Sequence, residues 1–210
     1  MGFVEKLCFR CSTGFVKGVL RYVKSDCRVL LTSGEPTWLR EHQSGFYLAD
    51  KTRLPLEYLS AGYALLLIND NNHLVGGVSF VNVQSLFRTK MLCPVPFSPG
   101  VFSFEMNGLW LAPHCDTRSR LLFWLHVCMF ILTQSPRAEF FFSFETKKTS
   151  LGKFYEGITE EAIYEGQVLN LPGMNGAQVY VERVCRTSVR FLSRRLPWIL
   201  LKWMFQKRIR

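Results

Sequence analysis

The stretch "NGLWLAPHCDTRSRLLFW", residues 107–124, gathers the side chains with most chemistry to offer. An apolar run ends at Leu111-Ala112-Pro113, a polar elbow follows from His114 to Arg120, and a second apolar run opens at Leu121. A strand that turns into a helix in this way leaves the first helical N–H groups without intrahelical partners. Those amides, with the positive end of the helix dipole, attract phosphate at about Ser119–Leu121. Arg118 and Arg120 supply charge directly beside them. The elbow has no glycine to let a phosphate approach the backbone closely, and Asp116 puts an anion where an anion would bind. The competing reading is that Asp116 or Thr117 caps the helix and the arginines lie in solvent.

Other reactive residues form weaker patterns. Cys8-Phe9-Arg10-Cys11 has C-x-x-C spacing, but no second pair or nearby histidine completes four ligands, so no metal site is assigned. His42, His73, His114 and His126 are unclustered, although His114 lies in the elbow and is a candidate base. There is no Gly-x-Ser-x-Gly elbow, Walker loop or dinucleotide fingerprint. The seven cysteines are odd in number and scattered, with Cys27, Cys128 and Cys185 in apolar surroundings, which points to a reducing compartment.

The 210 residues suit one domain with a small appendage, and an apolar fraction of 48% with 18 Phe supplies a sizeable core. The net charge of +10 is unevenly placed. Residues 183–210 hold nine Lys or Arg and no acid, which leaves residues 1–182 at only +1. A broad basic groove for nucleic acid is therefore not expected on the body of the domain. The N-terminus lacks the features of a signal peptide, and Lys6 stands where a myristoylation motif needs Ser or Thr.

Periodicity sets the order of elements. Residues 3–23 read as a basic amphipathic helix broken near Ser12-Thr13-Gly14, and Cys27–Leu31 as a strand. A short helix is expected over Thr37–Gln43, then a loop from Gly45 with a short helix at Leu56–Ala61. Tyr63–Ile68 and Leu74–Val83, joined by Asn69-Asp70-Asn71-Asn72, give the clearest hairpin. A proline-bearing loop over 89–100 follows, then strand Phe102–Leu111, helix Thr117–Leu132, strand Glu139–Phe144, helix Thr149–Gly157, and strands Ala162–Leu169 and Ala177–Cys185. Strict alternation along the middle strand puts Glu105, Asn107 and Leu109 on one face and Phe104, Met106 and Gly108 on the other. The predicted class is α/β (α+β): a mixed, mostly antiparallel sheet flanked by helices.

From Arg28 to Val184 this order resembles the GNAT superfamily of N-acyltransferases. Leu111-Ala112-Pro113 looks like that family's strand end before the loop that grips the pyrophosphate of acyl-CoA. Asp116, Ser119 and Leu121 stand where its Arg or Gln and its two small residues are expected. Phe154-Tyr155 resembles the family's Leu-Tyr pair. The resemblance implies Glu105 as the group that helps deprotonate the amine, with Glu145 in reserve, and Tyr155 as the donor that protonates the departing thiolate. It implies a thioester carbonyl steadied by amides around Ala112, and a donor held by Leu111, Ala112, Arg118, Ser119, Arg120 and Leu121. The co-substrate would be acetyl-CoA, a longer acyl-CoA or an acylated carrier protein.

The segment "RFLSRRLPWILLKWMFQKRIR" joins bulky apolar side chains to a dense basic set, a composition suited to an anionic membrane surface. Pro197 is expected to break or kink it, making Trp198–Lys207 a separate short segment. The organisation expected is a basic amphipathic segment (1–26), an acyltransferase domain (27–185) and a basic tail (186–210). The implied function is N-acyl transfer to an amine, in the cytoplasm at the inner face of a membrane. The alternatives are a non-catalytic module for membrane or protein partners, or an enzyme directed at nucleic acid.

Overall fold

A computed structural model of the chain describes residues 13–21, 23, 25–50, 52–145, 155–168 and 181–206. Strands β1 (Cys27–Thr32), β2 (Gly62–Asn69), β3 (Leu74–Val81), β4 (Ser103–Leu111), β5 (Glu139–Glu145), β6 (Glu161–Gln167) and β7 (Val181–Ser188) form one sheet ordered β1-β2-β3-β4-β5-β7-β6. Only β4 and β5 pair in parallel, so the expected mixed, mostly antiparallel sheet is what forms. The helices are α1 (13–20), α2 (Pro36–Asp50), α3 (Leu56–Ser60), α4 (Arg88–Leu92), α5 (Thr117–Thr133), α6 (155–158) and α7 (Val189–Gln206).

Side-chain alternation splits the core into two layers. Leu65, Leu67, Phe80, Met106, Phe140 and Phe142 join α1, α5 and α7 on one face. Leu66, Val81 and Phe141 join α2 and α3 on the other, with Phe87 just ahead of α4. The β2–β3 hairpin forms where the asparagine cluster predicts it: Asn69 Oδ1 accepts from the amides of Asn71 and His73, at 3.1 and 2.9 Å.

Four local expectations are corrected. The helix expected over Thr37–Gln43 runs from Pro36 to Asp50, straight through Gly45. A Cβ at Gly45 would collide with the Trp110 ring, so this glycine admits a tertiary contact and does not mark a loop. Thr13 and Gly14, an expected break, are helical; residues 1–12, with Cys8 and Cys11, lie outside the described residues. The helix α7 continues through Pro197, since a mid-helix proline forfeits one amide bond and a helix can bend there without ending. The expected boundary at 185/186 falls inside β7, where Arg186 lies 2.8 Å from Glu139 and 2.5 Å from Glu161. Val189, Leu192 and Leu196 of α7 are core residues.

Two irregularities interrupt β4. Gly77 pairs with Trp110 and Ser79 with Asn107, so Gly108 and Leu109 together face the single residue Val78. This is a β-bulge with its glycine at φ +67°, a left-handed conformation that other residues adopt only under strain. The extra residue inverts the alternation: Leu109 joins Met106 in the first layer and not Glu105 in the second. The second irregularity is the pairing of β4 with β5, which covers only Ser103–Glu105 and Glu139–Phe141. Beyond those residues β4 keeps its bonds to β3, and β5 keeps its bonds to β7, so the sheet opens between them.

Candidate functional site

Two of the expected catalytic residues, Tyr155 and Glu105, lie beside the opening between β4 and β5, on opposite faces of the sheet. Tyr155, in α6, stacks on Phe142 and Phe144, each with ring centroids 5.2 Å away. Both phenylalanines lie on the part of β5 beyond its pairing with β4. Burial pushes the Tyr155 phenol well above its ordinary range, and the Asp50 carboxylate adds to the push. Asp50 ends α2, whose core residues pack in the opposite layer. No motif marks Asp50 in the sequence, because its proximity depends on the full length of α2.

Glu105 lies on β4 at the mouth of the opening and is fully enclosed. Its Oε2 accepts from the Tyr58 hydroxyl at 2.6 Å and the Arg88 amide at 2.7 Å, and its Oε1 from the Thr89 amide at 2.5 Å. Arg88 and Thr89 begin α4, so the carboxylate answers two of that helix's orphan N–H groups and ties α4 to β4 and α3. Burial raises the carboxyl pKa, opposed by its three donors. Burial likewise raises Tyr58, reinforced by the Glu105 charge. Tyr58, its side-chain donor, is itself only 2% exposed and packs within the second layer. The reserve candidate Glu145 ends β5 and is half-buried.

A second buried polar chain braces the bulge. Trp110 Nε1 donates to His42 Nδ1 at 2.9 Å, so the neutral ring carries its proton on Nε2, 3.1 Å from Ser79 Oγ. His42 is fully buried, and desolvation lowers its pKa to about 4.

The elbow differs from a phosphate cradle. Asp116 is the N-cap of α5: its Oδ1 accepts from the Ser119 amide at 2.8 Å, its Oδ2 from the Ser119 hydroxyl at 3.1 Å, and its carbonyl from the Arg120 amide at 3.0 Å. The hydrogen bond from the Ser119 amide is the main cause holding the Asp116 carboxyl below its ordinary range, so it is charged at neutral pH. Arg120 folds back, with Nε 2.8 Å from the Cys115 carbonyl and Nη2 3.0 Å from that of Pro113. Arg118 is exposed, and Leu121 packs its side chain against the core. Leu111 pairs with Gly76, and the Ala112 amide donates to the Val75 carbonyl at 2.8 Å. Ala112 therefore has no N–H to offer a substrate carbonyl, and the pyrophosphate grip expected of Ser119 and Arg120 is filled from within the chain. His114 is exposed beside the elbow.

Among the described residues no three His, Cys, Asp or Glu side chains gather as a metal site would require, and no helix is long and apolar enough to cross a membrane.

No protein-family model matches the sequence, and no curated protein matches it. Solved structures do. Naa50 of Arabidopsis thaliana, in complex with the bisubstrate analogue CoA-Ac-MVNAL, superposes with a TM-score of 0.53 at 14% identity, over 76% of this chain and 98% of that one. NAA60 of Arabidopsis thaliana, also with a bisubstrate analogue, gives 0.53 at 11% identity, over 77% and 99%. At such identities the shared property is the fold.

Proposed function

We propose that this chain, which has the fold of the GNAT N-acetyltransferases, moves an acyl group from a thioester to an amine. The observation that carries the reading is the opening between β4 and β5, with Tyr155 at its edge and Glu105 at its mouth. Naa50 and NAA60, which share the fold, bind analogues that join two substrates, Naa50's being CoA-Ac-MVNAL.

In the proposed reaction the amine nitrogen bonds to the acyl carbon, the carbon–sulfur bond breaks with its electron pair going to sulfur, and the amine loses a proton. The Tyr58 hydroxyl relays that proton toward Glu105, whose carboxylate burial has made more basic. Tyr155 keeps its own proton at neutral pH and gives a hydrogen bond to the departing sulfur. Its raised pKa favours sharing that proton over surrendering it. Tyr155→Phe is expected to slow thiol release from an acyl thioester about a hundredfold. An unchanged rate would reduce Tyr155 to a packing residue.

The second half of α7 supports contact with an anionic membrane. Trp198 is 72% exposed, and the basic residues from Arg190 onward have no acidic residue among them. Truncation after Leu196 spares the core residues of the helix. It should abolish sedimentation with phosphatidylserine vesicles while leaving the fold intact, and persistent sedimentation would remove the tail from the reading.

One observation favours a second reading, a non-catalytic module of the same fold: the charged cap at Asp116 stands where a pyrophosphate would lie.

A further inference from the structure

We infer that the donor is recognised by its acylated pantetheine arm, and that a nucleotide pyrophosphate contributes nothing to its binding. This rests on the acyl-transfer reading. An anion at the start of α5 would be held by the orphan amides of its first turn, and the Asp116 carboxylate already takes the Ser119 amide and draws on that of Arg118. Ser119 N–H points at Asp116 Oδ1, and Arg120 N–H at the Asp116 carbonyl. A phosphate oxygen on the Ser119 amide would displace a carboxylate that stays charged, or stand against it. The β1 side is closed as well: Ser25 Oγ lies 2.7 Å from Ser119 Oγ and is itself fixed by the Cys27 amide at 3.1 Å. Arg120, whose charge could have compensated, is turned onto two loop carbonyls. What remains for a donor is the interstrand opening, where β4 and β5 leave their facing backbone groups unpaired beyond Glu105 and Phe141. Backbone donors and acceptors suit the uncharged, amide-bearing pantetheine arm better than a diphosphate. That arm is carried by CoA, by carrier proteins and by free pantetheine alike.

The test compares acetyl-CoA, acetyl-pantetheine and an acetylated carrier protein in a thiol-release assay, with calorimetric titration of CoA and pantetheine. For the native chain kcat/KM for acetyl-CoA should fall within about threefold of that for acetyl-pantetheine, and the two thiols should bind with similar affinity. Asp116→Ala should raise the acetyl-CoA value about tenfold and leave acetyl-pantetheine unchanged, as expected when a repelling carboxylate is removed and an amide freed. A carrier-borne acetyl group used faster than acetyl-pantetheine supports the inference and assigns the arm to a carrier. Acetyl-CoA preferred by about a hundredfold, or CoA binding far tighter than pantetheine, overturns the inference and leaves acyl transfer standing. No binding or turnover of any donor overturns both.

Discussion

Glu105→Ala should lower the unfolding free energy by about 4 kcal/mol, read from the midpoint of urea denaturation at constant m-value. The substitution strands three buried donors at once: the Tyr58 hydroxyl, the Arg88 amide and the Thr89 amide. Each orphaned donor costs about 1–3 kcal/mol, and partial collapse of the site keeps the sum below the simple total. Water is no substitute where the native side chain has no exposed surface. Glu105→Gln keeps one acceptor oxygen but aims an NH2 group at a donor, so it should cost about half as much. Tyr58→Phe removes a single bond and should cost about 1–2 kcal/mol. A loss below about 1 kcal/mol for Glu105→Ala would show that α4 does not depend on this carboxylate. The ranking also guards the kinetics. Activity lost in the alanine variant reports a loosened α4, whereas Tyr58→Phe stays folded. The pH profile of kcat in Tyr58→Phe therefore shows whether a proton passes through that hydroxyl.

The parts of this molecule that are legible as sequence are those whose cause is local. The β2–β3 hairpin needs only alternation and an asparagine turn. The helix α5 needs only a long apolar run and a capping Asp three residues before Ser119. The element order that resembles GNAT enzymes sums such local causes. What stays hidden depends on residues far apart. Glu105 is recognisable as an acid–base candidate, but the partner that defines it, Tyr58, is 47 residues away in the short helix expected at Leu56–Ala61, and nothing local says which strand that helix packs on. Gly45 has the composition of a loop and the function of a contact with Trp110 on β4. The bulge at Gly108–Leu109 reverses the faces of β4 past Asn107, and alternation has no means of announcing an inserted residue. At the elbow both readings are visible in the residues; Asp116, which counts against a phosphate, is the one that takes the phosphate's place.

Stability should fall by about 3 kcal/mol as pH drops from 6.5 to about 4, through His42 alone. The folded ring has a pKa of about 4, against 6.5 when solvated. Across that window the unfolded chain binds a proton that the folded chain does not, so unfolding is favoured as protons are added. Stability is complete above 6.5, declines through the window, and levels off from this cause below the folded value. The geometry explains why the proton is refused. Nδ1 already accepts from Trp110 Nε1, and a charged ring would present N–H to N–H there. His42→Asn keeps an acceptor near the Nδ1 position and cannot titrate. That variant should be weaker at pH 7 yet show no loss of stability between pH 6.5 and 5, because the Glu105 carboxyl, raised by burial, acts in the opposite sense. A loss surviving in His42→Asn would assign the acid sensitivity elsewhere. The consequence reaches the opening, because His42 joins α2 to β3 and β4 beside the bulge, and α2 ends at Asp50. Protonating one buried imidazole therefore weakens the join between the sheet and the helix that ends at Asp50.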